Sequence, residues 1–323
     1  MKKILFIPLL FNLFLGTSIF AQEKNNIRLN YPIEANSIRK VETNLLQGIV
    51  TIQGNREQEA SVEITAYPFT NRGQSLSKEE IQTLLDECFE VGVNTENGTL
   101  FVTAKQIKGL PKTYKWWQFW EATRYPADNA LGFSITIKLG ANADIDIKTK
   151  SGSILVQNIN GIIALQSGFG YIKVDDCSGE MTLHTESGRV ILTQLSGSVE
   201  ARSGFGAISA DSCIGNMSLR TESGNISLDN SSGGLIAHTD FGHVRVAMTD
   251  VTSDVKLSGN HGIQLSLPPK GYNLQVSARL IQGVDGLKDF NGVVKPQKIE
   301  GAILGGGNNI YIKTKDKVKI IFE

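Results

Sequence analysis

Glycine recurs at positions 152, 161, 170, 179, 188, 197, 206, 215, 224, 233 and 242, eleven times at an unbroken spacing of nine. Counting each glycine as position one, positions three and five are apolar in every unit, from Ile154/Val156 and Ile163/Leu165 through to Val244/Val246. The residues between them are mostly polar, as in Met181-Thr-Leu-His-Thr185. Alternation with a period of two marks a half-buried strand, and the residues around each glycine suffice for a turn. Glycine suits such a turn because it has no Cβ to penalise positive φ or to keep two backbones apart. A flexible glycine-rich linker would not hold apolar pairs in constant phase.

A longer period lies over the first. Residues 167–202 align without gaps to 203–238 with 18 of 36 positions identical, and Phe169, Phe205 and Phe241 recur at a spacing of 36. A nine-residue unit is too small to bury its own apolar face, so neighbouring units must stack. The pattern therefore predicts an all-β protein whose body is a parallel β-solenoid, β-helix-like, built of nine-residue strand-turn units. Two units per coil, 18 residues, would give a flattened two-sheet coil with an interior about 10 Å across, which short aliphatic side chains can fill. Four units per coil would instead put Phe over Phe and Cys177 over Cys213. The shorter coil is favoured, and an antiparallel meander has the same strand content. Each buried aliphatic contributes roughly 1.5–3 kcal/mol, so this frame needs no metal, cofactor or disulfide.

The flanks are less regular. Residues 1–21 have the layout of a secretory signal peptide, with Lys2 and Lys3 before an apolar stretch that ends at Ala21. No other apolar run is long enough to span a bilayer, so the mature chain is expected to be exported, to the periplasm, the cell surface or the medium. Residues 22–142 read as a β-rich N-terminal cap, needed because an open sheet end invites edge pairing. Within it Ser77-Lys-Glu-Glu80 is a capping box, followed by Ile81, Leu84, Leu85 and Cys88 at helical spacing, which predicts one short helix near 78–89. Asn97-Gly98 reads as a hairpin turn. Residues 143–323 hold the repeats and, after Pro268, closing strands around Ile310–Thr314 and Val318–Phe322.

Candidate chemistry is sparse. The whole chain balances 32 basic against 32 acidic residues, or 30 against 32 without Lys2 and Lys3. That balance offers no basic face for nucleic acid. The histidines, 184, 238, 243 and 261, occupy exchangeable outward positions, and no metal or nucleophile motif is present. Asp175 and Asp211, like Glu186 and Glu222, recur at 36 and read as solvated carboxylates. One segment breaks the pattern, an insert at 112–126 that carries all three tryptophans of the chain. Its Tyr114, Trp116, Trp117, Phe119 and Trp120 form either a lid packed on the cap or an aromatic binding platform.

The Ser-Gly units at 151–156, 187–192 and 223–228, with Leu267-Pro-Pro-Lys-Gly271 and the stretch from Gly301 to Lys313, resemble the adhesin family of bacterial cell-envelope proteins, a domain of unknown function. The resemblance covers most of residues 35–323 and carries over no catalytic residues. It implies an exported, non-enzymatic, adhesin-like binding or structural protein whose partner is an envelope protein or a glycan. Two other readings are a β-helical polysaccharide-processing enzyme and an envelope scaffold or sensor component without a ligand of its own. The enzyme would need acids and bases to break the repeat on one face, where the repeats are monotonous.

Overall fold

The structure, a computed structural model, describes residues 25–34, 38–55, 60–68, 76–107 and 131–323. The expected signal peptide and the aromatic insert 112–126 lie outside the described residues. Among those described, the chain is all-β apart from one helix, with twenty-three strands in a single long mixed sheet.

The glycine units sort into two parallel ladders. In one, Asn160–Phe169 pairs with Ser178–Ser187, which pairs with Ser196–Ser203, setting Gly161 beside Gly179 and Gly179 beside Gly197. In the other, Ile172–Asp175, Val190–Thr193, Ile208–Asp211 and the start of Ile226–Thr239 pair in turn, with Ile172, Val190, Ile208 and Ile226 in one row. The register between partners in both ladders is 18 residues, so Phe169 faces Ser187 and not Phe205. A register of 36 would have set like beside like, Phe169 beside Phe205. All twenty-two residues at positions three and five of the units are buried. Nine is odd, so the inward residues are odd-numbered in one ladder (Ile163, Leu165) and even-numbered in the other (Ile172, Val174). The chain must therefore shift phase at every corner.

Two different corners accomplish this. At one, Asn158, Asp176, Gln194, Ser212 and Asn230 all have φ between 49° and 57°. Asn and Asp tolerate this left-handed conformation, which costs other non-glycine residues about 1–2 kcal/mol. The next residue at each of these corners, Ile159, Cys177, Leu195, Cys213 or Ser231, is buried. At the other corner a buried Ser or Thr turns its hydroxyl onto the carbonyl of the glycine fifteen residues earlier. Ser167, Thr185, Ser203, Thr221 and Thr239 do so to Gly152, Gly170, Gly188, Gly206 and Gly224, at 2.8–3.1 Å. Glycine is required there by close approach: a Cβ on Gly188 would collide with the Gly170 carbonyl.

The N-terminal segment joins the same sheet. Lys40–Asn55 pairs in parallel with Asp144–Gln157, setting Gly48 beside Gly152. It also pairs with Thr99–Gln106, which forms an antiparallel hairpin with Phe89–Glu96. Asn97 and Gly98, at φ 50° and 78°, are the two positive-φ residues such a hairpin turn needs. The helix runs Lys78–Cys88, with the Ser77/Glu80 capping box formed and Ile81, Leu85 and Cys88 buried. It stops one residue before the expected end because Phe89 is already extended and opens the next strand.

After Leu267 more strands form than the sequence suggests. Tyr272–Ser277 pairs in parallel with Asn308–Thr314 and antiparallel with Lys298–Ile303, and the latter also pairs with Phe290–Lys295. The outer strand of this arm is mostly exposed, so it carries no alternation to betray it. The expected closing strands run Asn308–Thr314 and Lys317–Phe322, parallel to Val244–Gly259 and Ile263–Leu267.

Candidate functional site

The 18-residue register places all three phenylalanine-bearing corners in one row, where they are every second corner. Phe169, Phe205 and Phe241 follow buried Ser167, Ser203 and Thr239 by two residues, and by strand alternation they would point inward. The corner turns them out instead, and they are 58%, 66% and 70% exposed. Ser187 and Ser223 hold the intervening rungs. With strands about 4.8 Å apart, the rings stand about 9.6 Å from one another. Tyr171, also exposed, lies two residues beyond Phe169. Three large apolar rings thus stand exposed in a column among the described residues.

The predicted platform of Tyr114, Trp116, Trp117, Phe119 and Trp120 lies outside the described residues. The carboxylates expected to be solvated sit at the outer surface: Asp175 accepts from Gln157 and lies 3.8 Å from Lys173, and Asp211 accepts from Asn230 at 2.9 Å. His243 and His261 bring their rings within 5.8 Å, but among the described residues no three His, Cys, Asp or Glu side chains are placed to hold a metal.

All three cysteines are buried and none is in a disulfide. Cys177 and Cys213 each direct Sγ at a backbone carbonyl, of Asp175 at 3.3 Å and Asp211 at 3.4 Å. Leu195 lies in the row between them. Burial pushes both thiols up, that of Cys177 to about 11, so neither is a ready nucleophile at neutral pH.

Sequence reasoning missed a second surface feature. On the outward face of the first ladder Arg202 stands beside Arg220, and Arg220 beside His238. The row continues through Ser258, Lys313 and Ser277 to Lys298. The exchange of His184 and His238 for Arg202 and Arg220 between repeats was its signal in the repeats, but its C-terminal half is assembled by strands outside the nine-residue register.

The family model Toastrack DUF4097 matches residues 11–316. No curated protein matches the chain. Solved structures similar to it include a "putative cell adhesion protein" from Clostridium sporogenes, 14% identical, with 92% of this chain and 98% of that one covered at a TM-score of 0.30. They also include a "putative adhesin" from Bacteroides fragilis, 11% identical over 94% and 99% of the two chains at a TM-score of 0.38. A third is a "putative lipid binding protein" from Parabacteroides distasonis, 10% identical over 93% and 95% at a TM-score of 0.28. With residues 11–316 of its 323 matched, the chain belongs to the Toastrack DUF4097 family.

Proposed function

We propose that this is an exported, non-enzymatic, adhesin-like protein of the cell envelope that binds an envelope glycan or protein through its outer surface. Its frame is a parallel β-solenoid of nine-residue units, a reading supported by the 18-residue parallel register. In this reading residues 1–21 are a signal peptide, 22–142 a cap and 143–323 the repeats with their closing strands. The exposed column of Phe169, Phe205 and Phe241 carries the proposal. Fold stability gains nothing from rings that face water, whereas aromatic rings dominate binding hot spots. Tyr114, Trp116, Trp117, Phe119 and Trp120 would supply a further aromatic surface.

The test is binding of the mature protein to a panel of envelope glycans and envelope proteins. It is compared with the Phe169→Ser/Phe205→Ser/Phe241→Ser variant and a Trp116→Ala/Trp117→Ala/Trp120→Ala variant. The Ser variant copies the residues of the intervening rungs and is expected to keep its circular dichroism and lose at least tenfold in affinity. Full affinity in that variant, with loss only in the Trp variant, would move the site to the insert. Undiminished binding in both would reject an aromatic site.

A further inference from the structure

A groove of about 470 Å³ lies where the C-terminal arm joins the repeats, within the 300–1,000 Å³ range of ligand sites. Its floor is open because Ser258 and Ser277 are small and stand on either side of Lys313 in the row of paired strands. Its walls carry Arg220, His238, Lys256, Lys298 and Lys313 against a single carboxylate, Glu300. Glu300 is already paired with Lys298, and that neighbour holds its carboxyl below the usual range. Lys256 sits over the Tyr311 ring at 5.6 Å, and His238 hydrogen-bonds Ser258 at 2.8 Å and lies 3.4 Å from Asp240. Arg220, Lys256 and Lys313 have no carboxylate partner among the described residues. A chain balanced at 32 charges of each sign thus gathers about three uncompensated positive charges in one cleft. Clefts of one sign focus their field on ligands of the other. Arg202, beside Arg220 in the same row, is paired with Glu200 and lies outside the groove.

We propose that this groove binds an acidic polysaccharide, one with a carboxylate or sulfate on alternate sugars, lying across the strands. From Arg220 to Lys298 the row spans five strand steps, about 24 Å at the usual strand spacing. That is a path for a linear polymer, far longer than a single phosphate or carboxylate needs. Charges along it are sparse and alternate with neutral donors: Lys313 and Lys298 flank Ser277, and Gln275 and Tyr311 lie alongside. A polyhydroxylated chain with spaced acids uses both kinds of group. Nucleic acid carries a far denser charge, one per about 1.7 Å of duplex, and its binding rests on many phosphate contacts. Acidic peptide motifs are recognised by clusters of arginines, and Arg220 is the one arginine that lines this groove. The inference rests on the binding role proposed above but uses a surface separate from the phenylalanine column.

Titration of the full-length mature protein with hyaluronan and polygalacturonate oligosaccharides tests it, beside neutral chitooligosaccharides, poly-glutamate and a single-stranded DNA oligonucleotide. The acidic glycans are expected to bind, with affinity falling as salt rises. Affinity should drop at least tenfold in the Arg220→Gln/Lys313→Gln variant, whose changes are at exposed positions and leave the circular dichroism and melting temperature intact. Lys105→Gln, a change at an exposed cation paired with Glu90 outside both surfaces, should bind the acidic glycans as the parent does. Any glycan whose affinity falls in the phenylalanine-to-serine variant is read as a ligand of that column and not of the groove. Absence of acidic-glycan binding, equal binding of the neutral glycan, or full affinity in the Arg220/Lys313 variant would overturn the proposal. So would poly-glutamate or DNA binding as tightly as the glycans, which would make the groove a general anion site.

Discussion

A hydroxyl buried at a corner is useful only if a carbonyl waits for it, and one row of this protein contains both cases. Thr221 donates to the Gly206 carbonyl at 2.9 Å, whereas the buried Thr149 hydroxyl, 72 residues earlier in the same row, has no hydrogen-bond partner among the described residues. The residue fifteen positions before Thr149 is Ser134, inside the strand Leu131–Gly140 and not at a glycine corner. Thr221→Val should therefore cost about 1–3 kcal/mol, the penalty for a buried acceptor left unsatisfied. Thr149→Val should be neutral or slightly stabilising. Urea denaturation of the two variants checks the contrast, and equal losses would show that the hydroxyls do not act through the glycine carbonyls. Cys177 bears on pH. Its thiol is raised from 9.0 to about 11 in the folded chain, so between these values the unfolded state has lost its proton and the folded state has not. The contribution is present below pH 9 and is lost as pH rises towards 11. Cys177→Ala is expected to flatten the fall in stability over that window in urea titrations, and an unchanged slope would remove burial of this thiol as its source.

Elements in this chain are legible in proportion to how regularly they are buried on one face. Every strand of the repeats could be placed from the apolar pairs at positions three and five, because each alternates between core and solvent. The helix was legible too, since Ser77, Glu80 and the spacing of Ile81, Leu85 and Cys88 are local signals. The arm strand Phe290–Lys295 was not, because exposure of both its faces removes the alternation. The two kinds of corner divide the units into alternating halves, and this makes length changes informative. Deleting residues 185–202 removes 18 residues and brings Ser203 after His184, where a Thr stood before, so both corners and both ladders stay in phase. That variant should unfold cooperatively with a smaller denaturant dependence, in line with its smaller buried surface. Deleting only residues 185–193 puts a left-handed corner where a hydroxyl corner belongs and displaces every later strand by half a coil. It should lose its cooperative transition in circular dichroism. Equal behaviour of the two deletions would mean that the corners are interchangeable.

At the scale of the whole molecule, the two surface features differ in how far local sequence announces them. The phenylalanine column is visible as a repeat at 36, yet its meaning depends on the coil. With 36 residues per turn the rings would stand on adjacent rungs, and with 18 they alternate with Ser187 and Ser223. The cationic groove is less legible still. Arg220 and His238 belong to the repeats, but Lys313 and Lys298 arrive from strands far along the chain that join the same row by non-local pairing. The sequence by itself determined the all-β class, the buried aliphatic positions, the helix and the hairpin. These follow from short-range periodicity and from glycine and capping residues whose effects act within a few bonds. Only the tertiary structure decided which units lie side by side, which way the corner phenylalanines face and which distant lysines share a groove. Period alone does not choose a partner strand; that choice is made by close packing of the interior and by the hydrogen-bond register between coils.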